Sequence, residues 1–399
     1  MVSGMTSTWA DEWMLDPAIT FLNHGSFGAC PRVVLRAQRE LRDRLERRPG
    51  RFFDDDLEGL LDGARSELAA FLGGDPENLA FVQNATTGVN TVLRSLRFAT
   101  GDELLTTNHE YNATINALRF AADRDSARVV VARVPFPVDG PDDVLAAILE
   151  RVTPRTRLAM VSAVTSPTAL VFPIAQLVAD LEGRGIDCLV DAAHVAGMLP
   201  IDLRSLDAAY VTGDTHKWLC SPKTGAFLQV RPDRQASIHP LTISHGLNDP
   251  RTERSRLHLE FDWPGTVDPT SYLSIPAALR FVTDRESDGW PGHMATNRDV
   301  AIEGRRVLCS ALGLEPPAPE SMLGSMAALP LPLDTPPNLG QMLFDGYGIE
   351  VAAGRWPVDA ARASGEAPQA QVLRVSAQRY NSIEQYRRLA EALLELLAR

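Results

Sequence analysis

Cysteine is scarce in this 399-residue sequence: Cys30, Cys188, Cys220 and Cys309 stand far apart, with no C-x-x-C pair. That spacing fits reduced thiols better than a disulfide framework or a zinc site. Long apolar runs are also missing. No uninterrupted stretch approaches the roughly 18 to 20 residues of a membrane span, so a membrane-embedded chain is not expected. Positive charge is in deficit, with 39 basic against 51 acidic residues and a net charge of −12. No basic stripe interleaved with aromatics offsets it, so neither nucleic acid nor an anionic membrane is an expected partner. A small molecule is. The opening MVSGMTSTWADEWMLDP has acids and tryptophan where an export signal has a basic start and an apolar run, so the expected compartment is the cytoplasm.

What is present is ordinary globular composition, 45% hydrophobic and 23% charged, at a length that suggests two domains. From about residue 103 to 230, apolar runs alternate with amphipathic stretches, which predicts βα units and a mostly parallel sheet with helices on both faces. Strands are expected at 103–107, 127–134, 158–164, 186–190, 208–211 and 226–230, with helices at 142–151 and 174–182. Upstream, 33–48 and 57–72 read as amphipathic helices separated by a turn at RRPGRFF. Downstream, helices at 271–284, 297–312 and 382–397, with short strands at 326–331 and 372–375, suggest a smaller α+β domain. The division expected is an N-terminal segment, 1–30, at the active-site entrance, a large α/β domain, 31–274, and a small C-terminal domain, 275–399.

Three stretches carry chemistry. In YVTGDTHKWLC a strand runs into a turn that presents His216 and Lys217. In IDCLVDAAH another strand delivers Asp191 at its carboxyl end, with His194 one turn later; ligands of open α/β sheets collect at that edge. A lysine paired with a strand-end carboxylate suits pyridoxal phosphate, because the amine forms the Schiff base and the carboxylate keeps the pyridine nitrogen protonated. In FVQNATTGVNTVL a strand ends and a helix opens with free N–H groups and the hydroxyls of Thr86 and Thr87, which makes a phosphate site.

The segments LNHGSFG, NATTGVN, TTNHEYNA, SAVTSPTALVFPI, DAAHVAG, TGDTHKW, WPGT and LRVS, in this order, resemble the class V aminotransferase family of fold type I pyridoxal phosphate enzymes, and within it the isopenicillin N epimerase-like proteins. The resemblance covers nearly the whole chain. It implies pyridoxal 5′-phosphate as cofactor, Lys217 as the Schiff-base lysine and Asp191 as partner of the pyridine nitrogen. Tyr111 would stack on the ring, and His194 and Ser166 would lie near its phenolic oxygen or the substrate. Thr86, Thr87 and His216 match phosphate-binding positions. Thr266 matches a threonine that reaches the phosphate from a neighbouring subunit, which implies a homodimer. Arg374 would take the substrate α-carboxylate, with Asn23 and His24 at the entrance. Asp214 stands where relatives often carry Ser or Asn, and an acid there is given no phosphate role.

The implied reaction takes place at the α-carbon of an amino acid held as an external aldimine, with epimerisation or racemisation expected, Lys217 as one base and Tyr111 or a histidine as the other. The alternatives are a β-eliminating C–S lyase, an aminotransferase and, least expected, a noncatalytic binding protein. A cysteine desulfurase is not expected, because GIEVAAGRWPVDAARASGEA lacks the nucleophilic cysteine that those enzymes carry. Phe27, His245, Trp356 and Tyr380 are expected to shape the substrate pocket.

Overall fold

The computed structural model describes residues 9–362 and 367–397. The N-terminal eight residues and part of the 348–367 stretch, residues 363–366, lie outside the described residues. Two amphipathic helices, α1 (Arg32–Arg47) and α2 (Leu57–Phe71), precede the first strand. The turn expected between them is helical instead: Pro49–Arg51 forms one turn and Phe52–Asp56 a wider π turn that runs straight into α2. Pro49 opens that turn, where its missing N–H loses no bond, and Phe52, the first residue of the π turn, is buried.

Seven strands then build the main sheet: β1 (Leu79–Val82), β2 (Glu103–Thr107), β3 (Arg128–Ala132), β4 (Thr156–Ser162), β5 (Asp187–Asp191), β6 (Tyr210–Asp214) and β7 (Ala226–Val230). Their order is β1-β7-β6-β5-β4-β2-β3. Every pairing from β6 to β3 is parallel, and only β7 runs against its neighbours. Alternate residues supply opposite faces, as the two-residue period of a strand requires. Leu158, Met160 and Leu189 pack beneath α3 (Ala85–Ser95) and α4 (Asn112–Asp125). Ala159, Val161 and Val190 face the other way, toward α2, α5 (Pro141–Leu149) and α6 (Ile174–Glu182). Full burial of a leucine or methionine here contributes about 1.5–3 kcal/mol.

The long helix α7 (Gly289–Leu312) starts eight residues earlier than the pattern suggests, because Pro291 sits in its first turn, where proline is tolerated. The helix expected over 271–284 breaks at Ser274 into Thr270–Leu273 and Ile275–Thr283. A three-stranded antiparallel sheet, β9-β10-β8, follows from β8 (Met326–Leu331), β9 (Ala352–Trp356) and β10 (Ala370–Ser376). It shares a second core with α7 and α8 (Ile383–Leu397). The N-terminal segment is stitched to this part of the molecule. Thr20–Phe21 pairs with Ile349–Glu350, and the Ser376 N–H donates to the Leu22 carbonyl at 2.8 Å. That pairing carries residues 23–28 to the edge of the main sheet.

Candidate active site

The carboxyl ends of β1, β2, β4, β5 and β6 point to one edge, and each delivers a polar side chain there. Asp191 ends β5. It is buried, and the Ala193 N–H donates to it at 2.9 Å. Among the described residues no cation lies within ion-pair distance of it, and burial raises its carboxyl to about 6. At the end of β6, Asp214 turns inward: one oxygen accepts from the Ala85 N–H at 2.8 Å and the other lies 3.0 Å from Lys217 Nζ. Asp214 therefore bonds the first N–H of α3 and holds the lysine amine.

Lys217 and Lys223 are the only lysines in the chain. Lys223 donates from Nζ to the Gly28 carbonyl at 2.9 Å. Gly28 itself, at φ +68°, leaves no room for a side chain: a Cβ would lie 2.2 Å from the His216 carbonyl. His216 donates from Nδ1 to the Gly225 carbonyl at 3.0 Å, which leaves Nε2 free for another partner. His194 is buried and accepts on Nδ1 from the Trp218 indole at 3.2 Å, so its proton sits on Nε2. Burial holds it neutral.

The helix α3 opens toward this edge. Asn84 caps it by accepting from the Thr87 N–H at 2.8 Å, and the Thr87 hydroxyl also donates to Asn84 at 3.1 Å. Gly88 lets the helix lie flush on β6: a Cβ there would come 1.9 Å from the Thr212 hydroxyl. Thr86 stands in the first turn of α3, where the helix dipole favours negative charge.

Arg374 arrives from β10. Its guanidinium is buried and donates to the Ser166 carbonyl at 2.6 Å, the Ser166 hydroxyl at 3.2 Å and the Ser26 hydroxyl at 2.8 Å. Ser26 in turn donates to Asn23 at 2.6 Å. All these partners are neutral, and among the described residues no carboxylate pairs with Arg374. Burial lowers it to about 10.

The structure brings Asp191, His194, His216 and Lys217 together at the strand ends, with Thr86 and Thr87 at the α3 N-terminus and Ser166, Asn23 and Arg374 on the small-sheet side. Tyr111, at the start of α4, is half exposed and close enough to Arg374 to influence it electrostatically. Thr266 stands apart, exposed on the loop after Trp263.

Three expectations change. His24 is not at an entrance: it is fully buried, donating from Nε2 to the Lys217 carbonyl at 3.0 Å and accepting from the Tyr380 hydroxyl at 2.7 Å. It braces the lysine from behind. Tyr380 and Trp356 are likewise buried, Tyr380 under His24 and Trp356 against His109 at 4.8 Å between ring centroids, so neither lines an open pocket.

One residue was missed. Glu110 is fully buried between Ser162, whose N–H and hydroxyl both donate to it, and Thr107, which donates at 2.9 Å. Its signal is an acid just past a strand end beside the tyrosine of HEYNA. All four thiols are raised by burial, Cys30 to about 12, so none is poised as a nucleophile.

Known proteins resemble this chain closely enough to place it. It is 34% identical to isopenicillin N epimerase of Amycolatopsis lactamdurans, covering 98% of this chain and 99% of that protein. It is 30% identical to putative L-cysteine desulfhydrase 2 of Oryza sativa subsp. japonica, covering 96% of this chain and 85% of that one. The fold superimposes with a TM-score of 0.76 on the cystine C-S lyase C-DES in complex with cysteine persulfide, at 21% identity over 95% of this chain and 98% of that one. The Aminotransferase class-V profile matches residues 21–389, which span every strand end described above. The chain therefore belongs to the class V aminotransferase family, and its cofactor is pyridoxal 5′-phosphate.

Proposed function

We propose that this protein removes and returns the α-proton of an amino-acid substrate, acting as an epimerase or racemase. One observation carries the amino-acid part: two buried charges of opposite sign, Asp191 and Arg374, each lack a counter-charge among the described residues. A protonated ring nitrogen answers the first, and an α-carboxylate answers the second through the planar guanidinium fork. The residues thus fit the cofactor. Pyridoxal phosphate supplies the electron sink that makes the α-proton acidic.

Lys217 would hold the cofactor, and its amine, steadied by Asp214 at 3.0 Å, is the group placed to act as the α-proton base. Tyr111, near Arg374, would stack on the cofactor ring and is the candidate for proton delivery from the other face. His194, with its proton on Nε2, and Ser166 would contact the phenolic oxygen of the cofactor or the substrate beside it. Thr86, Thr87 and His216 would hold the phosphate. Asn23 orients Arg374 through Ser26. Thr266 reaches the phosphate of a second copy, seated on the groove of about 690 Å³ between Thr87, Lys223, Leu241, Trp263 and Val267. A cytoplasmic homodimer is the state that follows.

The second reading is β-elimination of a sulfur leaving group. It draws on the likeness to the protein named L-cysteine desulfhydrase and needs only one base. A route through an enzyme persulfide is disfavoured, since all four thiols are raised by burial. Proton NMR in deuterated water with a panel of amino acids, including penicillin-type and S-substituted cysteine compounds, separates the two. Loss of the α-proton signal with an intact carbon skeleton and inverted configuration is expected. A keto acid with a released thiol overturns epimerisation in favour of the lyase.

A further inference from the structure

Glu110 has no part in the chemistry assigned so far, yet a carboxyl group fully buried at the edge of a cofactor site is expensive to place there. Its anchors explain where it sits. Ser162, which donates to it twice, is the register partner of Asp191 on the adjacent strand. Register partners on parallel strands put their side chains on the same face, with the backbones about 4.8 Å apart. The two carboxyl groups are therefore neighbours across one strand spacing, both removed from water.

We propose that Glu110 and Asp191 act as a coupled pair that keeps a proton in the cofactor-free protein and releases it when the cofactor is loaded. The proposal rests on the reading that Asp191 faces the ring nitrogen. Two desolvated carboxylates side by side resist ionising together. A cation brought against Asp191 cancels that repulsion, so the O–H bond of Glu110 breaks and its proton passes to the buffer. The charged groups around the pair agree with this. Lys217 and Asp214 lie beyond Asp191 on the β6 side, and His109, on the same turn as Glu110, points its ring at Thr168 and the Val134 carbonyl. No lysine or arginine makes an ion pair with Glu110 among the described residues. Burial, opposed by the Ser162 and Thr107 hydrogen bonds, raises Glu110 to about 7, with Asp191 adding to the rise.

The test is calorimetric titration of pyridoxal phosphate into the full chain stripped of cofactor, in buffers of different ionisation heat, which counts protons exchanged on binding. Glu110→Gln keeps the shape and can still accept from Thr107 and the Ser162 N–H, so a merely structural role survives it. At about pH 6.5 the natural protein is expected to release up to about one proton more than the variant, and at about pH 9 the difference is expected to vanish. Equal counts at both pH values overturn the proposal. If Glu110→Gln does not fold, Ser162→Ala serves: it removes a donor to the ionised form, so the release window moves to higher pH, and an unmoved window overturns the proposal. Asp191→Asn with unaltered affinity and proton count overturns the reading beneath it.

Discussion

A buried guanidinium whose partners are all neutral is held for something that arrives from outside, and Arg374 is in that position. Arg374→Gln removes the charge but keeps donors to Ser166. Loss of a charge-assisted hydrogen bond worth about 1.5–3 kcal/mol predicts a ten- to hundredfold fall in kcat/KM, with the cofactor absorbance unchanged. Steady-state kinetics alongside a visible spectrum checks both halves. Lys217→Ala should abolish cofactor that borohydride can fix to the chain, together with turnover; measured turnover in that variant would remove Lys217 as the base. Lys217 and Asp191 could be picked out as candidates because each lies at or just past the end of an apolar strand, whereas Arg374, inside β10, was reached only through the family resemblance carried by LRVS. His24 was legible as a site residue but not as a brace, since nothing in LNHGS indicates that Tyr380, 356 residues away, closes over it. Glu110 escaped because an acid between a histidine and a tyrosine has no local mark of burial; only the pairing of β4 with β5 reveals it.

Among the elements, α3 carries the proposed phosphate site, and its first turn depends on two acceptors, Asn84 and Asp214. Asn84→Ala is expected to cost about 1 kcal/mol of stability and to weaken cofactor retention, read by chemical denaturation and by dissociation of the cofactor on dilution. Gly88→Ala should do more damage, since the clash is with the Thr212 side chain on a buried strand and cannot be swung aside; overpacking of this kind costs about 1–3 kcal/mol. The βα strands were readable because sheets covered on both faces need continuous apolar runs. The short strand β9 was not: Ala352–Trp356 contains glycine and arginine and takes its place only through pairing with β10. The turn before α2 was misread for a related reason, as proline and glycine there punctuate a helix without ending it.

For the whole molecule, buried ionisable groups set the response to acid. Burial lowers His24 to about 3, His109 to about 4 and His293 to about 3. Unfolded, each takes up a proton near 6.5, so stability falls as pH drops from there toward 3. Asp191 and Glu110 oppose this. Raised to about 6 and about 7, they bind protons in the folded chain first and add stability as pH falls from about 7 toward 4. Three large downward shifts outweigh two upward ones. The urea midpoint of the cofactor-free protein should therefore decline between about pH 6 and 4, and His293→Phe should flatten the decline. The proposed dimer is tested separately. Val267→Glu places a charge on the groove wall and should shift the light-scattering mass from two chains to one.

The scarcity of lysine has a practical sequel. With one side-chain amine held by Asp214 at the strand-end edge and the other bonded to a backbone carbonyl at the groove, almost all the surface cations are guanidinium groups, which do not condense with simple aldehydes under mild conditions. Stray aldehydes find few footholds on this protein, so a covalent tag fixed by reduction doubles as a direct gauge of how many sites are filled. The same trait makes amine-coupled resins and lysine cross-linkers poor handles, since the amines they would take are the ones beside the chemistry.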